Sequence, residues 1–434
     1  MKSKWVWLIT CVVFIDLCAF AQDGKSLSIQ EVIQLATTQS KEAKVANNKI
    51  TGKNLELGVA KNSQLPEAKI TGQFAMLSTP DINFRIPLGN ENGAANIKAN
   101  QLMLGQANIS MPIYSGGKIK NSIHIAEESV IAEQYAAANT KEQIAAQAIK
   151  LYVTLYKAQQ TVNLVEENIK RSEQQVIDFK AMEENGLIAR NDLLKSELQL
   201  SNYKVALQEA VKNVKVFNYQ LITLLQFDED AKIDQITFDD TKILNEQYSF
   251  ENVLQNRNDL KLLATQHKIA TDQLKITKAN YLPTIALTGG YVAADIKNVI
   301  TVTNALNAGI GLSYDLGSLY KNNKNVDVAK HHIEEAQEQI DIANDHIKIQ
   351  LQEAKENFTL AQNQEKVYAQ AVMQANENYR IVKDKYDNGV ADTDDLLEAD
   401  VQQLQSKINE AVSKANVIEK YYDLLLVSGQ LISN

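Results

Sequence analysis

The chain has 434 residues, with 53 Asp and Glu against 44 Lys and Arg, a net charge of −9. That balance excludes a nucleic-acid surface, which needs clustered Lys and Arg against phosphate. Glycine (17) and proline (5) are scarce while Ala, Gln, Asn, Glu, Lys and Leu crowd long stretches, so the chain reads as mainly helical.

The first residues read as a secretory signal: Lys2 and Lys4, then the apolar stretch Trp5–Phe14, then Ala19-Phe20-Ala21 as a cleavage site. The apolar run is shorter than the ~20 residues of a spanning helix. Removal of residues 1–21 takes both cysteines, Cys11 and Cys18, with it and leaves no thiol for a disulfide or a metal. Leu17 stands where a lipidation motif wants a small residue before Cys18. No later apolar run is long enough for a transmembrane helix, which leaves a soluble exported protein or one that enters a membrane as β-strands.

The remainder is written twice, as a first repeat over 22–227, a connecting segment over 228–249 and a second repeat over 250–434. KNSQLPEAKITGQF (Lys61–Phe74) returns as KANYLPTIALTGGY (Lys278–Tyr291). ISMPIYSGGKIKN from Ile109 returns more weakly as IGLSYDLGSLYKN from Ile310. NGLIARNDLL from Asn185 returns as NGVADTDDLL from Asn388.

Each repeat begins with a helix, roughly Ile29–Ser63 and Phe250–Tyr281, and then switches to period two. Ile70, Gly72, Phe74 and Met76 alternate with Lys69, Thr71 and Gln73, and Ala107, Ile109, Met111 and Ile113 alternate with Gln106, Asn108 and Ser110. Ile285, Leu287 and Tyr291, then Leu306, Ile310 and Leu312, repeat the pattern against Asn307, Gly311 and Ser313. Four strands of about ten residues suit a tilted membrane crossing. Ile70, Phe74, Ile109, Ile285 and Ile310 are then expected to face lipid, and Gln73, Asn108 and Ser313 the lumen. A soluble sheet with one buried face shares the alternation. A long polar loop (Thr79–Gln101) and a short one (Asp295–Thr303) join the strands.

Very long heptad runs follow, Gly117–Glu184 and Tyr320–Asp387. Ile123, Val130, Ala137, Ile144, Leu151, Ala158 and Val165 hold one position of a coiled coil, as do Val326, Ile333, Ile340, Ile347, Ala354 and Ala361 in the second repeat. Each run amounts to roughly 100 Å of helix, more than a compact globule uses. Each stops at Asn-Gly, where Gly186 and Gly389 suit a left-handed helix cap. Asn191 or Asp192, and Thr393 or Asp394, are the candidate N-caps of the returning helices Leu193–Leu225 and Leu396–Leu426.

Reactive chemistry is not written in this sequence. His331 and His332 are adjacent and so point to different helix faces, which argues against a metal site. YSGGK, ending at Lys118, lacks the leading Gly and the Ser/Thr of a phosphate loop and reads as a flexible strand-to-helix junction. No nucleophile elbow or paired-carboxylate site is present, so neither enzyme activity nor a cofactor is expected.

Strand–loop–strand flanked by very long helices, written twice after a signal peptide, resembles the TolC family of outer-membrane efflux proteins. The sharpest local marks are MPIYSGGKIKNSI (Met111–Ile123) and YDNGVADTDDLLEADVQ (Tyr386–Gln402). The resemblance implies a homotrimer in the outer membrane of a Gram-negative bacterium, extending into the periplasm, with a twelve-stranded β-barrel continuing into a twelve-helix α-barrel. It implies an exit duct for substrates, with a periplasmic adaptor and an inner-membrane transporter as partners. It places Tyr386, Asp395 and Glu398 at the periplasmic aperture, with Ala391 where the family has an Arg. The hairpin tips around Gly186, Asp192, Gly389 and Asp394 are expected to dock partners. The alternative function is a soluble periplasmic coiled-coil adaptor, which explains the heptads but not the paired strands.

Overall fold

A computed structural model describes residues 26–78, 99–233, 235–237, 250–297 and 299–432. The signal segment 1–21, most of the long loop (79–98) and most of the connecting segment (234 and 238–249) lie outside the described residues. The described residues divide into two compact units, and each repeat contributes to both.

One unit takes in residues from 1–40, 147–244 and 362–419. Strand β1 (Ser26–Ser28) runs into α1 (Ile29–Gln39), which starts in a reciprocal cap: Glu31 N–H donates to Ser28 Oγ, and Ser28 N–H donates to Glu31 Oε2 at 2.8 Å. β1 pairs in parallel with the short β4 (Gln235–Thr237). Most of this unit is the later parts of α3 (Lys118–Glu184) and α8 (Asn323–Asp387), with α4 (Arg190–Leu225) and α9 (Thr393–Val427). Val165, Ile169, Tyr203 and Leu404 form one core cluster, and Phe179, Leu193 and Leu396 a second one at the hairpin ends. The heptad position from Ile123 to Val165 is buried at six of its seven residues and half-buried at Leu151.

The second unit takes in 41–146, 245–361 and 420–434. It holds α2 (Lys41–Asn62), α5 (Phe250–Asn256), α6 (Asn258–Ala279), the short α7 (Ser318–Lys321) and a four-stranded antiparallel sheet. The strands β2 (Glu67–Met76), β3 (Gln101–Tyr114), β5 (Thr284–Ile296) and β6 (Ile300–Ser313) lie in the order β2-β3-β5-β6. The two sequence hairpins therefore join through β3 and β5, and β2 and β6 remain as edges. No helix among the described residues is long and apolar enough to cross a membrane.

Several boundaries differ from the sequence reading. The helix expected over Ile29–Ser63 breaks at the buried Ser40, whose ψ of 151° ends α1. The one expected over Phe250–Tyr281 breaks at Arg257 (φ −66°, ψ 123°). Arg257 uses the kink to reach Asp259 twice, at 2.9 and 2.5 Å, and the Val427 carbonyl at 3.1 Å. Asn322 interrupts the start of the second long helix and donates to the Thr277 carbonyl at 2.7 Å. Gln101 belongs to β3, and the β5–β6 connection shrinks to 297–299 because the strands run further than their apolar alternation. The junction before α3 is set rather than loose. Gly116 and Gly117 have φ of +63° and +86°, and a Cβ on Gly116 would stand 3.0 Å from the Ala279 carbonyl oxygen.

Both long helices end as the Asn-Gly pairs suggest. Leu187 N–H reaches the Met182 carbonyl and Gly186 N–H the Glu183 carbonyl, while Val390 and Gly389 bond to Lys385 and Tyr386 in the same way. This double closure needs a left-handed residue, and φ is +70° at Gly186 and +72° at Gly389. Nothing crowds either glycine, so backbone strain alone should decide a substitution. Gly186→Val and Gly389→Val should each cost about 1–2 kcal/mol, seen as a lower thermal midpoint of the helical circular-dichroism signal. A midpoint unchanged in both would show that neither turn needs the left-handed backbone.

Candidate functional site

The strand wall is the first candidate surface. Directly opposed residues of an antiparallel pair share a face, so the register assigns every side chain. Ile70 pairs with Ala107, Phe74 with Met103, Ile109 with Gly289, Leu287 with Ile310 and Ile285 with Leu312. The five residues expected toward lipid therefore lie on one face. It is bare: Ile70 is 87% exposed, Leu306 81% and Ile310 73%. Gln73, Asn108 and Ser313 lie on the other face, with Thr71, Gln106, Ser110 and Thr288. A bulge between Pro112 and Tyr114, and another between Val292 and Ala294, shift the register. Near the second, Asn304 takes φ of +59° and donates its backbone N–H to the Tyr291 hydroxyl.

The hairpin ends are the second candidate. Tyr386 stacks on Phe179 with ring centroids 5.4 Å apart and packs on the Phe179–Leu193–Leu396 cluster. Burial raises its phenol pKa above the ordinary value, with Thr393 acting in the opposite sense. Asp395 and Glu398 are both exposed on the first turns of α9, while the residue after each, Leu396 and Ala399, is buried. Asp395 has a second occupation. Its N–H donates to Asp392 Oδ1 at 2.9 Å, and its carboxylate reaches back to the Asp392 N–H at 3.5 Å. The helix is thus capped by Asp392 rather than by Thr393 or Asp394. Ala189, without a side-chain bond, is the N-cap of α4 instead of Asn191 or Asp192. Glu398 accepts from Gln402 at 3.0 Å. Asp394 pairs with Lys195 across the two hairpins at 2.8 Å, and Asp192 lies 4.0 Å from the same ammonium. Hydrogen bonding to Asp394 raises the Lys195 pKa. His331 and His332 turn apart, to Glu334 and Glu335.

The sequence reading missed a polar joint inside the same unit. Asp400, 3% exposed, accepts from the Tyr203 hydroxyl at 2.8 Å and from Asn168 Nδ2 at 3.1 Å. Arg171 lies 3.5 Å from the other Asp400 oxygen, donates to Asn168 Oδ1 and to Gln403 Oε1, and covers the Tyr379 ring. Gln403 in turn donates to Asn376 at 2.9 Å, so α3, α4, α8 and α9 meet in one network. Asp400 falls four residues from both Leu396 and Leu404, a carboxylate inside an apolar stripe, and that spacing was the available signal.

Burial, then the Asp400 charge, pushes the Tyr203 phenol well above its ordinary value. A raised folded-state pKa means stability that is complete below the unfolded phenol's value of about 10 and lost as pH climbs toward the folded one. Tyr203→Phe removes a donor from a buried carboxylate and should cost about 1.5–3 kcal/mol near neutrality. It should also flatten the decline above about pH 10, read as thermal midpoint against pH beside the parent. An unchanged neutral midpoint would mean the network does not stabilise the unit.

Comparison with known proteins agrees with this geometry. Residues 250–430 match the family model described as outer membrane efflux protein. The outer membrane efflux protein BepC of Brucella suis biovar 1 (strain 1330) is 20% identical over 386 residues, covering 87% of this chain and 80% of that protein. The outer membrane channel CmeC of Campylobacter jejuni superposes with a TM-score of 0.77 at 17% identity, over 93% of this chain and 86% of its own. The outer membrane protein VceC of Vibrio cholerae superposes with a TM-score of 0.76 at 15% identity, over 92% of this chain and 96% of its own. Residues 250–430 thus carry the sequence pattern of the outer membrane efflux protein family, and the fold over more than nine tenths of the chain is that of solved outer-membrane proteins.

Proposed function

We propose that this chain is the outer-membrane exit duct of a tripartite efflux or type I secretion system, carrying substrates from an inner-membrane transporter out of the cell. The observation that carries this reading is the sheet with one bare apolar face, one polar face and two unpaired edges. A soluble adaptor would leave that face against water, and nothing supports that alternative. In lipid, open edges are not tolerated, so copies of the chain must supply the missing strands. Three copies close a twelve-stranded barrel and a twelve-helix periplasmic tunnel. Exposed apolar residues on the long helices, Leu198, Val205 and Tyr219 on α4 and Ile342 and Ile349 on α8, support neighbours there as well. The hairpin tips around Gly186, Asp192, Gly389 and Asp394 are the docking points for the adaptor and the transporter, with Leu187 and Val390 exposed on them.

The register generates a direct test. Ile70→Lys or Ile310→Lys should lose about 2–4 kcal/mol of stability if these faces meet lipid near mid-bilayer, whereas Gln73→Lys should be tolerated. Trimer yield from outer membranes reads the difference. Equal tolerance of all three would remove the membrane reading of this sheet.

Tyr386, Asp395 and Glu398 are assigned to the periplasmic aperture, where three copies would bring six carboxylates around one hole. Like charges at that distance attract cations. The duct should therefore prefer cations at its periplasmic end and be blocked there by multivalent cations. Asp395→Asn with Glu398→Gln should relieve most of that block in planar-bilayer recordings. If block persists in the double variant, these acids serve only as helix-start residues, a role that the Asp392–Asp395 cap supports. With Ala391 in place of an Arg, the closed state leans on the Tyr386–Phe179 stack.

A further inference from the structure

Charge is nearly absent from the four long strands: among their described residues only Glu67, Lys69 and Asp295 carry it. Asp295 lies on the apolar face, opposite Met103, and accepts the Thr301 hydroxyl at 2.6 Å. Lys69 lies on the polar face. Its row can be followed across the whole sheet, since Lys69 pairs with Asn108, Asn108 with Gly290, and Gly290 with Asn307. This row crosses β3, β5 and β6 close to their midpoints.

Gly290 is bare because its neighbours use the space. A Cβ there would stand 2.8 Å from Asn108 Oδ1, 2.9 Å from the Ala107 carbonyl oxygen and 3.4 Å from Asn307 Oδ1. The two carboxamides thus lean in from β3 and β6 across the glycine, and both asparagines and Lys69 remain exposed. An ammonium and two carboxamides supply several N–H donors on one strip of wall.

We propose that this row is a selectivity band of the barrel lumen that favours anionic solutes, with Lys69 setting the sign and Asn108 and Asn307 offering hydrogen bonds to their oxygens. The inference rests on the trimeric-barrel reading. Strands of such barrels tilt by about 35–45°, so a row across them climbs the wall, and three copies make three slanted bands with three lysines. The low-dielectric lipid behind the wall focuses their field into the lumen. Glu67 lies two residues along the same face, roughly 7 Å away. It stands at the first residue of β2, so it tempers the field rather than cancelling it at the row.

The test uses the full-length trimer in planar bilayers, with citrate as the probe anion added from the extracellular side. Citrate should reduce the wild-type current, and Lys69→Gln should abolish that block. In a KCl gradient Lys69→Gln should move the permeability ratio toward cations by about twofold or more, and Lys69→Glu further. Asn108→Leu with Asn307→Leu should weaken citrate block while leaving the reversal potential near the parent value. Variants that conduct with the parent's reversal potential and citrate response would overturn the band while leaving the duct intact. If a variant fails to assemble, the wild type decides alone, since a conducting trimer indifferent to citrate also overturns it. A wild type that forms no channel would overturn the duct reading, and the band with it.

Discussion

Hydrocarbon offers no partner to a backbone N–H or C=O, and this constraint orders the rest of the molecule. Inside the four-stranded sheet every ladder is satisfied by a neighbour, but β2 and β6 end the order with a row of unpaired groups each. One face of the sheet, from Ile70 and Phe74 to Ile310 and Leu312, is apolar and uncovered. A single copy is therefore unstable both in water, where that face is exposed, and in lipid, where the edges are. Closure with other copies, as proposed above, would resolve both at once. The opposite face can then hold Asn, Thr and Gln, which are mostly kept out of a packed soluble core.

The helical unit solves a different problem, that of keeping very long helices in one register. Apolar heptads are repetitive, so a slip by one repeat would bury nearly as much surface. The Asp400 network breaks that degeneracy. A carboxylate with donors from α3 and α4 at one height penalises every shifted register, because the shift would leave it buried and unpaired. The two double-closed turns at Gly186 and Gly389 then set where each helix reverses.

Much of this was legible in the sequence, for identifiable reasons. Period-two alternation placed Ile70, Phe74, Ile109, Ile285 and Ile310 on one face, because strand side chains alternate without drift. Asn-Gly marked both helix ends because only the left-handed backbone closes them. The breaks at Arg257 and Asn322 were not legible, since each has partners distant in sequence, Val427 for Arg257 and Thr277 for Asn322. Asp400 escaped because a search for apolar heptads treats a carboxylate as surface. Its counterpart Arg171 sits among Lys and Glu that are solvated.

Duplication explains why the functional charges are sparse. Were the two repeats identical, each charge would occur twice in the chain. The repeats have instead diverged at the charged positions. In the aligned strands Lys69 corresponds to Ala286, so the polar row carries one lysine per chain. In the aligned turns Asp392 corresponds to Ala189 and Glu398 to Lys195, so of the two hairpins only the second has the side-chain cap and the acid one turn further on. The first hairpin is partly neutralised instead, and its Lys195 is tied to Asp394 of the second. The Lys195 ammonium thus bridges the two hairpins of the chain, while Asp395 and Glu398 on α9 remain exposed. The duplicated scaffold supplies the geometry, and the departures from it supply the charge.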